Sequence, residues 1–228
     1  MTTVNDTRDE YISRVVAGKT FADVGGLWGT VNEKVSLARE YGAASLTMLD
    51  VTVEEGDLWK KFRARMDQLG IRNYECLSAD ICDPHITDLV RPFDVVHCSG
   101  VLYHHPNPML MLAALRKLTR EHLVLTSSIT QEIVQNEKGR YTIPPSGVVF
   151  VPALSDCERE ILKRYWEGMG AVAYGLTEKI RYRLDDFGPW WWLPTAGALV
   201  AMCETAGFEV LDRGAIWDKN ALVLLLGV

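Results

Sequence analysis

The stretch that decides the fold is residues 20–29, which read TFADVGGLWG. Its first half is a short apolar run typical of a buried strand, and its second half is rich in glycine, which allows a tight turn and a close approach of the backbone to a ligand. Thr30 or Asn32 can then cap a helix that extends to about Tyr41. The stretch therefore predicts a strand, a glycine turn and a helix, in that order.

The alternation of strand and helix continues downstream. Apolar runs predict further strands at residues 45–49, 73–77, 93–98, 122–127, 208–217 and 221–226, and apolar spacing predicts helices at residues 54–69, 109–118 and 195–206. Strands that alternate with helices at this rhythm are typical of βαβ units, and the last two strands fit a closing hairpin. We expect an α/β, doubly wound, Rossmann-like fold with a seven-stranded, mostly parallel sheet.

Residues 129–194 interrupt this rhythm. They contain several prolines, a helical pattern at residues 155–169 and the triple Trp190-Trp191-Trp192. A chain of 228 residues suits one α/β domain better than two. We therefore expect a single domain over residues 1–228, with residues 129–194 inserted between the fifth strand and the last helix as a lid or substrate-binding segment.

Composition and charge narrow the class of protein. The net charge of −6 and the pI near 5.4 argue against binding to long nucleic acid, which needs clustered Lys and Arg. The five cysteines are scattered, without the spacing of a disulfide framework or a zinc site. The start of the chain lacks the apolar core of a signal peptide, and no run approaches the roughly 20 apolar residues of a membrane span. We expect a soluble protein of the cytoplasm that does not enter a membrane.

One acidic residue marks a ligand site in this framework. Asp50 ends the second predicted strand, where a carboxylate can accept hydrogen bonds from two ribose hydroxyls. Dinucleotide-binding dehydrogenases share this arrangement, but the GxGxxG pattern of those enzymes is absent. The glycine pattern itself therefore has to distinguish between nucleotide-binding families.

The segment FADVGGLWG resembles motif I of the class I S-adenosylmethionine (SAM)-dependent methyltransferases. Asp23, Gly25 and Gly29 match the acid and glycines of that motif, while Leu27 stands where the family usually has its middle glycine. The resemblance implies that the turn binds SAM, and Gly26 and Trp28 belong to the same turn.

Three further segments resemble later motifs of this family in the right order. They read LTMLDV, LSADICD and FDVVHCSGVLYHHPNP, and WWLPTAGALVAMCETAGFEV is similar to the late helix and strand. The resemblance implies that Asp50 with Val51 holds the ribose, that Asp80 with Ile81 brackets the adenine, and that Cys98 also faces the cofactor. SAM is then the expected cofactor, S-adenosylhomocysteine the product and a small molecule the substrate.

Transfer of a methyl group from a sulfonium mainly requires alignment and one base. His104 and His105 follow the fourth strand and are the candidate bases, although a local packing role is the alternative for either. Aromatic residues are the candidates for substrate contact, and the alternative for those in the insertion is a core of its own. The candidates are Tyr103, Tyr165, Trp191 and Trp192.

No metal is expected, because the adjacent carboxylates Asp185 and Asp186 do not by themselves make a cation site. Two other functions stay open. The VLYHHPNP and LPT segments also resemble relatives that modify the wobble uridine of tRNA, and a non-catalytic SAM-binding module would share the same cofactor motifs.

Overall fold

A single seven-stranded sheet organises the chain in the computed structural model, which describes residues 6–28, 33–171 and 173–228. Its strands, in chain order, are β1 (Thr20–Val24), β2 (Ser45–Asp50), β3 (Glu75–Ser78), β4 (Phe93–Ser99), β5 (Thr119–Ser128), β10 (Glu209–Ile216) and β11 (Ala221–Gly227). Their spatial order is β10-β11-β5-β4-β1-β2-β3. Only β11 runs antiparallel to its neighbours β5 and β10, so the expected closing hairpin is present.

Helices cover both faces of this sheet. They are α1 (Thr7–Val15), α2 (Val35–Glu40), α3 (Asp57–Gln68), α4 (Ile86–Leu89), α5 (Pro108–Leu118), α6 (Asp156–Gly168) and α7 (Ala196–Thr205). The buried side chains of α1, α2 and α3 share one apolar core, which includes Ile12, Phe62 and Met66. Those of α4, α5 and α7 share the core on the opposite face, which includes Leu112 and Leu199. The predicted doubly wound α/β fold is confirmed.

The insertion builds most of a third core, to which Tyr103 of the loop after β4 also belongs. It contains two small antiparallel pairs, β6 (Ile133–Asn136) with β7 (Gly139–Thr142) and β8 (Val148–Phe150) with β9 (Trp192–Pro194). The amphipathic helix α6 begins with a reciprocal capping box between Ser155 and Glu158, and packs Trp166 against Trp190 with ring centroids 5.0 Å apart. Core packing is thus the role of Trp190, since it is 7% exposed in this cluster.

The sequence did not predict several elements. The helices α1 and α4 and the strands β6 to β9 were absent from the expected pattern, because α1 exposes much of a polar surface and the others have only three or four residues each. The first described residue of α2 is Val35, and the two candidate caps, Thr30 and Asn32, lie outside the described residues. Among the helices that the structure describes, none combines the length and the apolar character that crossing a membrane requires.

Candidate functional site

A cavity of about 590 Å³ opens at the carboxyl-terminal edge of the sheet. Strands β1, β2, β3 and β4 end at its floor, which is where open α/β sheets bind ligands. One part of its wall follows β1, β2 and β3, within the first 81 residues. The other part comes from the loop after β4, from the insertion and from the β10–β11 hairpin.

The turn after β1 presents bare main chain to this cavity. Gly25 has a φ of +75°, which favours glycine, and both Gly25 and Gly26 line the cavity. A Cβ atom at Gly25 would overlap the side chain of Val101, and one at Gly26 would overlap the carboxylate of Asp23. The turn therefore excludes side chains at both positions and keeps the backbone open to a ligand.

Two other predicted residues belong to the same turn. The side chain of Trp28 lines the cavity and is 84% exposed, so it stands at the mouth. Gly29, the last predicted residue of the turn, lies outside the described residues.

Asp50 ends β2 as a buried carboxylate on the cavity wall. Its Oδ1 accepts hydrogen bonds from the backbone N–H and the hydroxyl of Thr52, at 2.9 Å and 2.7 Å. Its Oδ2 accepts from the N–H of Leu27 at 3.4 Å, a long contact. Each carboxylate oxygen accepts more than one hydrogen bond, so Oδ2 has capacity for a ligand hydroxyl. Val51, the next residue, is half-exposed and also lines the cavity.

Asp80 and Ile81 follow β3 and lie on the same cavity wall. The Oδ1 of Asp80 accepts a hydrogen bond from the backbone N–H of Cys82 at 2.8 Å, which fixes the side chain in a local turn. Ile81 is buried and presents an apolar surface beside it. The structure therefore brings an acid and an apolar side chain together after β3, next to the acid that ends β2.

Asp23 lies below the glycine turn and is fully buried. Its Oδ1 accepts a hydrogen bond from Nδ1 of His97 at 2.7 Å, and its Oδ2 accepts from the backbone N–H of Lys34 at 2.8 Å. The pairing follows from the parallel register, in which Asp23 of β1 lies beside His97 of β4. Both side chains line the cavity.

Tyr103 belongs to a short 3-10 turn, Leu102–His104, after β4. It lines the cavity and is buried, and its hydroxyl lies beside Gly100, where a Cβ atom would be 3.5 Å away. Burial raises the pKa of the Tyr103 phenol, so the hydroxyl stays protonated near neutral pH. Its backbone oxygen accepts from the N–H of Trp191 at 2.8 Å, which ties the insertion to this turn.

His104 lines the cavity in a defined tautomer. Its Nδ1 lies 3.2 Å from the backbone oxygen of Pro189. Because a carbonyl oxygen only accepts, Nδ1 carries the proton of the neutral ring and Nε2 keeps its lone pair. Burial lowers the pKa of His104 against a smaller opposite effect of the carbonyls of Pro189 and Gly188, so the ring is neutral at pH 7. The group is therefore ready to accept a proton at Nε2.

His105 also lines the cavity, but in different surroundings. Its ring stacks on Phe187 with centroids 5.4 Å apart, and its Nδ1 lies 2.8 Å and 3.0 Å from the backbone oxygen and nitrogen of Asn107. Burial lowers the pKa of His105, while Asn107 and the negative charge of Asp80 act in the opposite direction. The influence of Asp80 indicates that His105 belongs to the β3 side of the cavity.

Four predicted site residues do not line the cavity. Cys98 is fully buried in the core under the opposite face of the sheet, and burial raises the pKa of its thiol. Tyr165 donates its hydroxyl hydrogen bond to Asn220, and neither residue lines the cavity. The indole N–H groups of Trp191 and Trp192 donate to the backbone oxygens of Asp186 and Pro106, at 3.1 Å and 3.0 Å. These two indoles support the insertion and the loop after β4.

Several cavity residues were not predicted. Arg8 comes from α1, His97 from the middle of β4, and Trp217 from the turn between β10 and β11, while Phe187 and Gly188 come from the insertion. The sequence contained a signal for His97, because β1 and β4 run parallel and His97 lies two residues before the end of β4. Arg8 and Trp217 have no local signal, since only the tertiary fold brings them to this edge.

The described residues contain no group of three His, Cys, Asp or Glu side chains arranged to hold a metal ion. Asp185 pairs with Arg183, at 2.8 Å between Oδ2 and Nη2, and Asp186 accepts from the backbone N–H of Gly188 at 2.9 Å. The two adjacent carboxylates thus have separate partners.

Comparison with known proteins extends this description. No protein-family model and no curated protein sequence matches the chain. Among solved structures, magnesium protoporphyrin IX methyltransferase from Synechocystis with bound S-adenosylhomocysteine matches 97% of this chain and 81% of its own, with a TM-score of 0.59 at 13% identity.

Two further structures have the same fold. The 1,6-didemethyltoxoflavin-N1-methyltransferase of Burkholderia thailandensis, crystallised with 1,6-didemethyltoxoflavin and S-adenosylhomocysteine, matches 98% of this chain and 79% of its own, with a TM-score of 0.57 at 14% identity. A SAM-dependent methyltransferase from Mesorhizobium loti matches 97% and 96%, with a TM-score of 0.58 at 12% identity. At these identities the likeness concerns architecture, and the chain has the fold of the SAM-dependent methyltransferases.

Proposed function

We propose that this chain is a SAM-dependent methyltransferase that transfers a methyl group to an oxygen or nitrogen atom of a small molecule. One observation carries the proposal. An open glycine turn after β1, a buried carboxylate at the end of β2 and a second carboxylate after β3 follow one another along one cavity. This order suits a ligand with an amino-acid end, a ribose and an adenine in a row.

The residues of the cavity fit SAM one by one. Gly25 and Gly26 leave the backbone accessible where any side chain would overlap a neighbour. Asp50 has an oxygen with capacity for ribose hydroxyls, and Ile81 offers an apolar surface to the adenine, with Asp80 at its polar edge. SAM would be held by these residues, with S-adenosylhomocysteine as the product.

When bound, SAM supplies an electrophilic methyl carbon on its sulfonium. The protein then has to align the acceptor and remove its proton. We assign the base to His104, because its Nδ1 hydrogen bond to Pro189 leaves Nε2 basic and its lowered pKa keeps the ring neutral. His105 is the weaker candidate, since the negative charge of Asp80, at the proposed adenine end, acts on its pKa.

The acceptor end of the cavity is aromatic and uncharged. Tyr103, Phe187 and Trp217 line it, and His104 there is neutral at pH 7. A volume of 590 Å³ is within the range of about 300–1,000 Å³ typical of small-molecule sites. We infer that the acceptor is a flat, largely apolar molecule with a hydroxyl or amine, of the kind that natural-product biosynthesis methylates.

We infer also that residues 129–194 act as the lid and substrate-binding segment. Phe187 and Gly188 of this segment line the cavity, and the N–H of Trp191 binds the backbone of Tyr103. The segment therefore contributes to the acceptor end directly and through the turn after β4.

Two other functions have less support. Modification of tRNA would favour a basic surface, whereas the net charge is −6 and Arg8 is the single Lys or Arg among the described residues that line the cavity. A non-catalytic SAM-binding module would have no use for a base, which His104 offers.

The five cysteines are free thiols, which supports a reducing compartment such as the cytoplasm.

Calorimetric titration of S-adenosylhomocysteine into Asp50→Ala tests the cofactor site. We expect the affinity to fall by about 10-fold or more, which corresponds to the loss of a charge-assisted hydrogen bond of roughly 1.5–3 kcal/mol. Asp83→Ala is the matched control, because Asp83 is an exposed acid that caps the backbone N–H of His85 at 2.8 Å and does not line the cavity. Unchanged affinity in Asp50→Ala, or an equal loss in the control, would contradict the assignment.

Release of S-adenosylhomocysteine from SAM tests the activity itself. A panel of hydroxylated aromatics and nitrogen heterocycles should contain an acceptor, and unmodified tRNA in the same assay distinguishes the second function. Turnover on tRNA alone contradicts the small-molecule proposal, and tight SAM binding without turnover on either pool favours the non-catalytic module.

A further inference from the structure

A polar corner lies at the inner end of the cavity, between the ends of β1 and β4 and beneath α1. It consists of Arg8, His97 and Ser99, with Asp23 behind His97. All four residues line the cavity, and none is needed for the ribose, the adenine or the proton transfer proposed above. The corner can therefore serve another part of a ligand.

Arg8 is a largely buried cation with hydrogen-bonding capacity to spare. Its Nε lies 2.9 Å and 3.0 Å from the two carboxylate oxygens of Asp6, its Nη2 pairs with the same carboxylate, and its Nη1 donates to Oγ of Ser99 at 3.2 Å. The guanidinium has five N–H groups, and these contacts engage three of them within the described part of the chain. The two that remain on a planar fork suit a carboxylate.

The carboxylate of Asp6 does not neutralise Arg8 alone. It also lies 3.8 Å from Nζ of Lys34, whose closer partner is Asp9. Burial alone would raise the pKa of Asp6, but Arg8 and Lys34 lower it below its usual value, so Asp6 stays ionised. Arg8 is thus fixed in position by a charge that it shares with a second cation.

His97 offers a nitrogen atom without a partner. Its side chain is 4% exposed, and its Nδ1 donates to Asp23, because a carboxylate only accepts. Its Nε2 is buried and has no hydrogen-bond partner among the described residues. An unpaired buried polar atom costs free energy, and a ligand that supplies the partner removes this cost. In the tautomer with its proton on Nδ1, the ring presents Nε2 as a hydrogen-bond acceptor.

The order of groups along the sheet edge identifies the ligand group. If Asp80 and Asp50 hold the adenine and ribose after β3 and β2, the remaining end of the cofactor extends past β1 towards β4. That end is an α-amino acid, which carries a carboxylate and an ammonium group on one carbon. We propose that Arg8 binds the carboxylate of this amino-acid end and that Nε2 of His97 accepts a hydrogen bond from its ammonium group.

This inference rests on the proposed function. Two ligands distinguish a failure of the inference from a failure of the proposed function. S-adenosylhomocysteine has the amino-acid end, whereas 5′-deoxy-5′-methylthioadenosine has the same nucleoside and sulfur without it. In calorimetric titrations, Arg8→Gln should lower the affinity for S-adenosylhomocysteine at least 10-fold. The affinity for methylthioadenosine should stay within twofold of the wild-type value. Arg8→Lys, which keeps the charge and loses the fork, should give a smaller loss for the first ligand only.

His97→Asn tests the second contact, because asparagine keeps a donor for Asp23 and removes the position of Nε2. The variant should lower the affinity for S-adenosylhomocysteine and leave unchanged the affinity for methylthioadenosine, which lacks the amino group. Thr126→Val is the matched control, since Thr126 Oγ1 is also buried without a partner on the adjacent strand and does not line the cavity. The control should bind both ligands normally.

The outcomes are distinct. Equal weakening of both ligands by Arg8→Gln shows that Arg8 only holds α1 on the sheet, and overturns its assignment. An unchanged affinity for S-adenosylhomocysteine in Arg8→Gln or His97→Asn overturns the corresponding contact. If the wild-type protein binds neither ligand, the cofactor proposal fails first and this inference fails with it. Circular dichroism spectra identify any variant that does not fold, and for Arg8 the conservative Arg8→Lys variant then decides.

Discussion

The imidazole of His104 is held by a main-chain carbonyl, and this contact decides which nitrogen is basic. His104→Asn keeps an N–H for the oxygen of Pro189 and removes the basic nitrogen. For a hydroxyl acceptor we expect kcat to fall by about 10²-fold, the usual scale of general-base catalysis, with little change in cofactor affinity. Because burial lowers the pKa of His104, the acid limb of kcat/KM in the wild-type protein should lie below 6.5.

His85→Asn is the control for this prediction, because the side chain of His85 is 81% exposed and lies away from the cavity. Steady-state kinetics of both variants between pH 5 and pH 8 provide the measurement. A normal rate and an unshifted pH profile in His104→Asn would remove His104 from the mechanism.

Gly25 and Gly42 separate the conformational role of a glycine from its role in binding. Their φ angles are +75° and +82°, so alanine at either position costs about 1 kcal/mol in the left-handed region. A Cβ atom at Gly25 meets Val101, whereas nothing lies within 4 Å of one at Gly42. We expect both alanine variants to lose stability, and only Gly25→Ala to lose affinity for S-adenosylhomocysteine. Chemical denaturation measures the stability and calorimetry measures the affinity. Lost affinity in both variants would contradict a specific role of Gly25 in binding.

The sequence predicted the acids of the site because strand ends are readable from apolar runs and parallel strands end at one edge. Cys98, which was predicted beside the cofactor, does not line the cavity, because neighbouring residues of a strand face opposite sides of the sheet. His97 and Ser99 point towards the cavity with Asp23, so Cys98 between them points into the other core. The alternation of side chains between the two faces of β4 therefore distinguishes Cys98 from His97 and Ser99.

At the scale of elements, α6 holds the insertion together through one buried cation. Arg159 is 6% exposed and donates to the backbone oxygens of Val151 at 3.0 Å, Leu176 at 3.4 Å and Gly175. Arg159→Met leaves these oxygens without their donor. We expect the variant to be about 3 kcal/mol less stable in urea unfolding, as for the loss of buried charge-assisted hydrogen bonds.

The same variant should raise KM for the acceptor more than it changes cofactor affinity, because the chain that Arg159 anchors leads to the cavity residues Phe187 and Gly188. Arg164→Met is the control on the same helix, since Arg164 is exposed and pairs with Glu137 on the surface. An equal loss of stability in the control would show that the substitution acts on α6 in general.

The helix α1 shows why some elements escape sequence analysis. Its sequence, TRDEYISRV, buries only Tyr11 and Ile12, so its apolar pattern is too weak to stand out from a polar chain start. The readable signal was its cap, in which Asp6 accepts from the N–H of Arg8 at 3.0 Å and Asp9 and Glu10 follow in the first turn. The small strands of the insertion are three or four residues long and half-exposed, and their pairing depends on contacts distant in sequence.

For the whole molecule, three half-buried histidines predict a stability that depends on pH. Burial lowers the folded-state pKa of His104, His105 and His122 below 6.5, so the unfolded chain binds more protons in mildly acidic solution. The free energy of unfolding should therefore decrease as the pH falls through 6.5. Urea unfolding at pH 7.5 and pH 5.5 measures the change, and His104→Asn should reduce it. An unfolding free energy independent of pH over this range would contradict the expectation.

The two ends of the cavity come from separate stretches of the chain, and this has an evolutionary consequence. The proposed cofactor end draws its glycines and acids from residues before 82, whereas the acceptor end comes from residues after 99. Selection for a new acceptor can then act on the insertion and the hairpin turn while the proposed nucleotide site is left intact. The inserted segment supplies all but one of the buried residues in its core, so it is a natural unit for exchange between relatives. A chimaera that replaces residues 129–194 should inherit its acceptor preference from the protein that supplies the new segment and its cofactor from this chain.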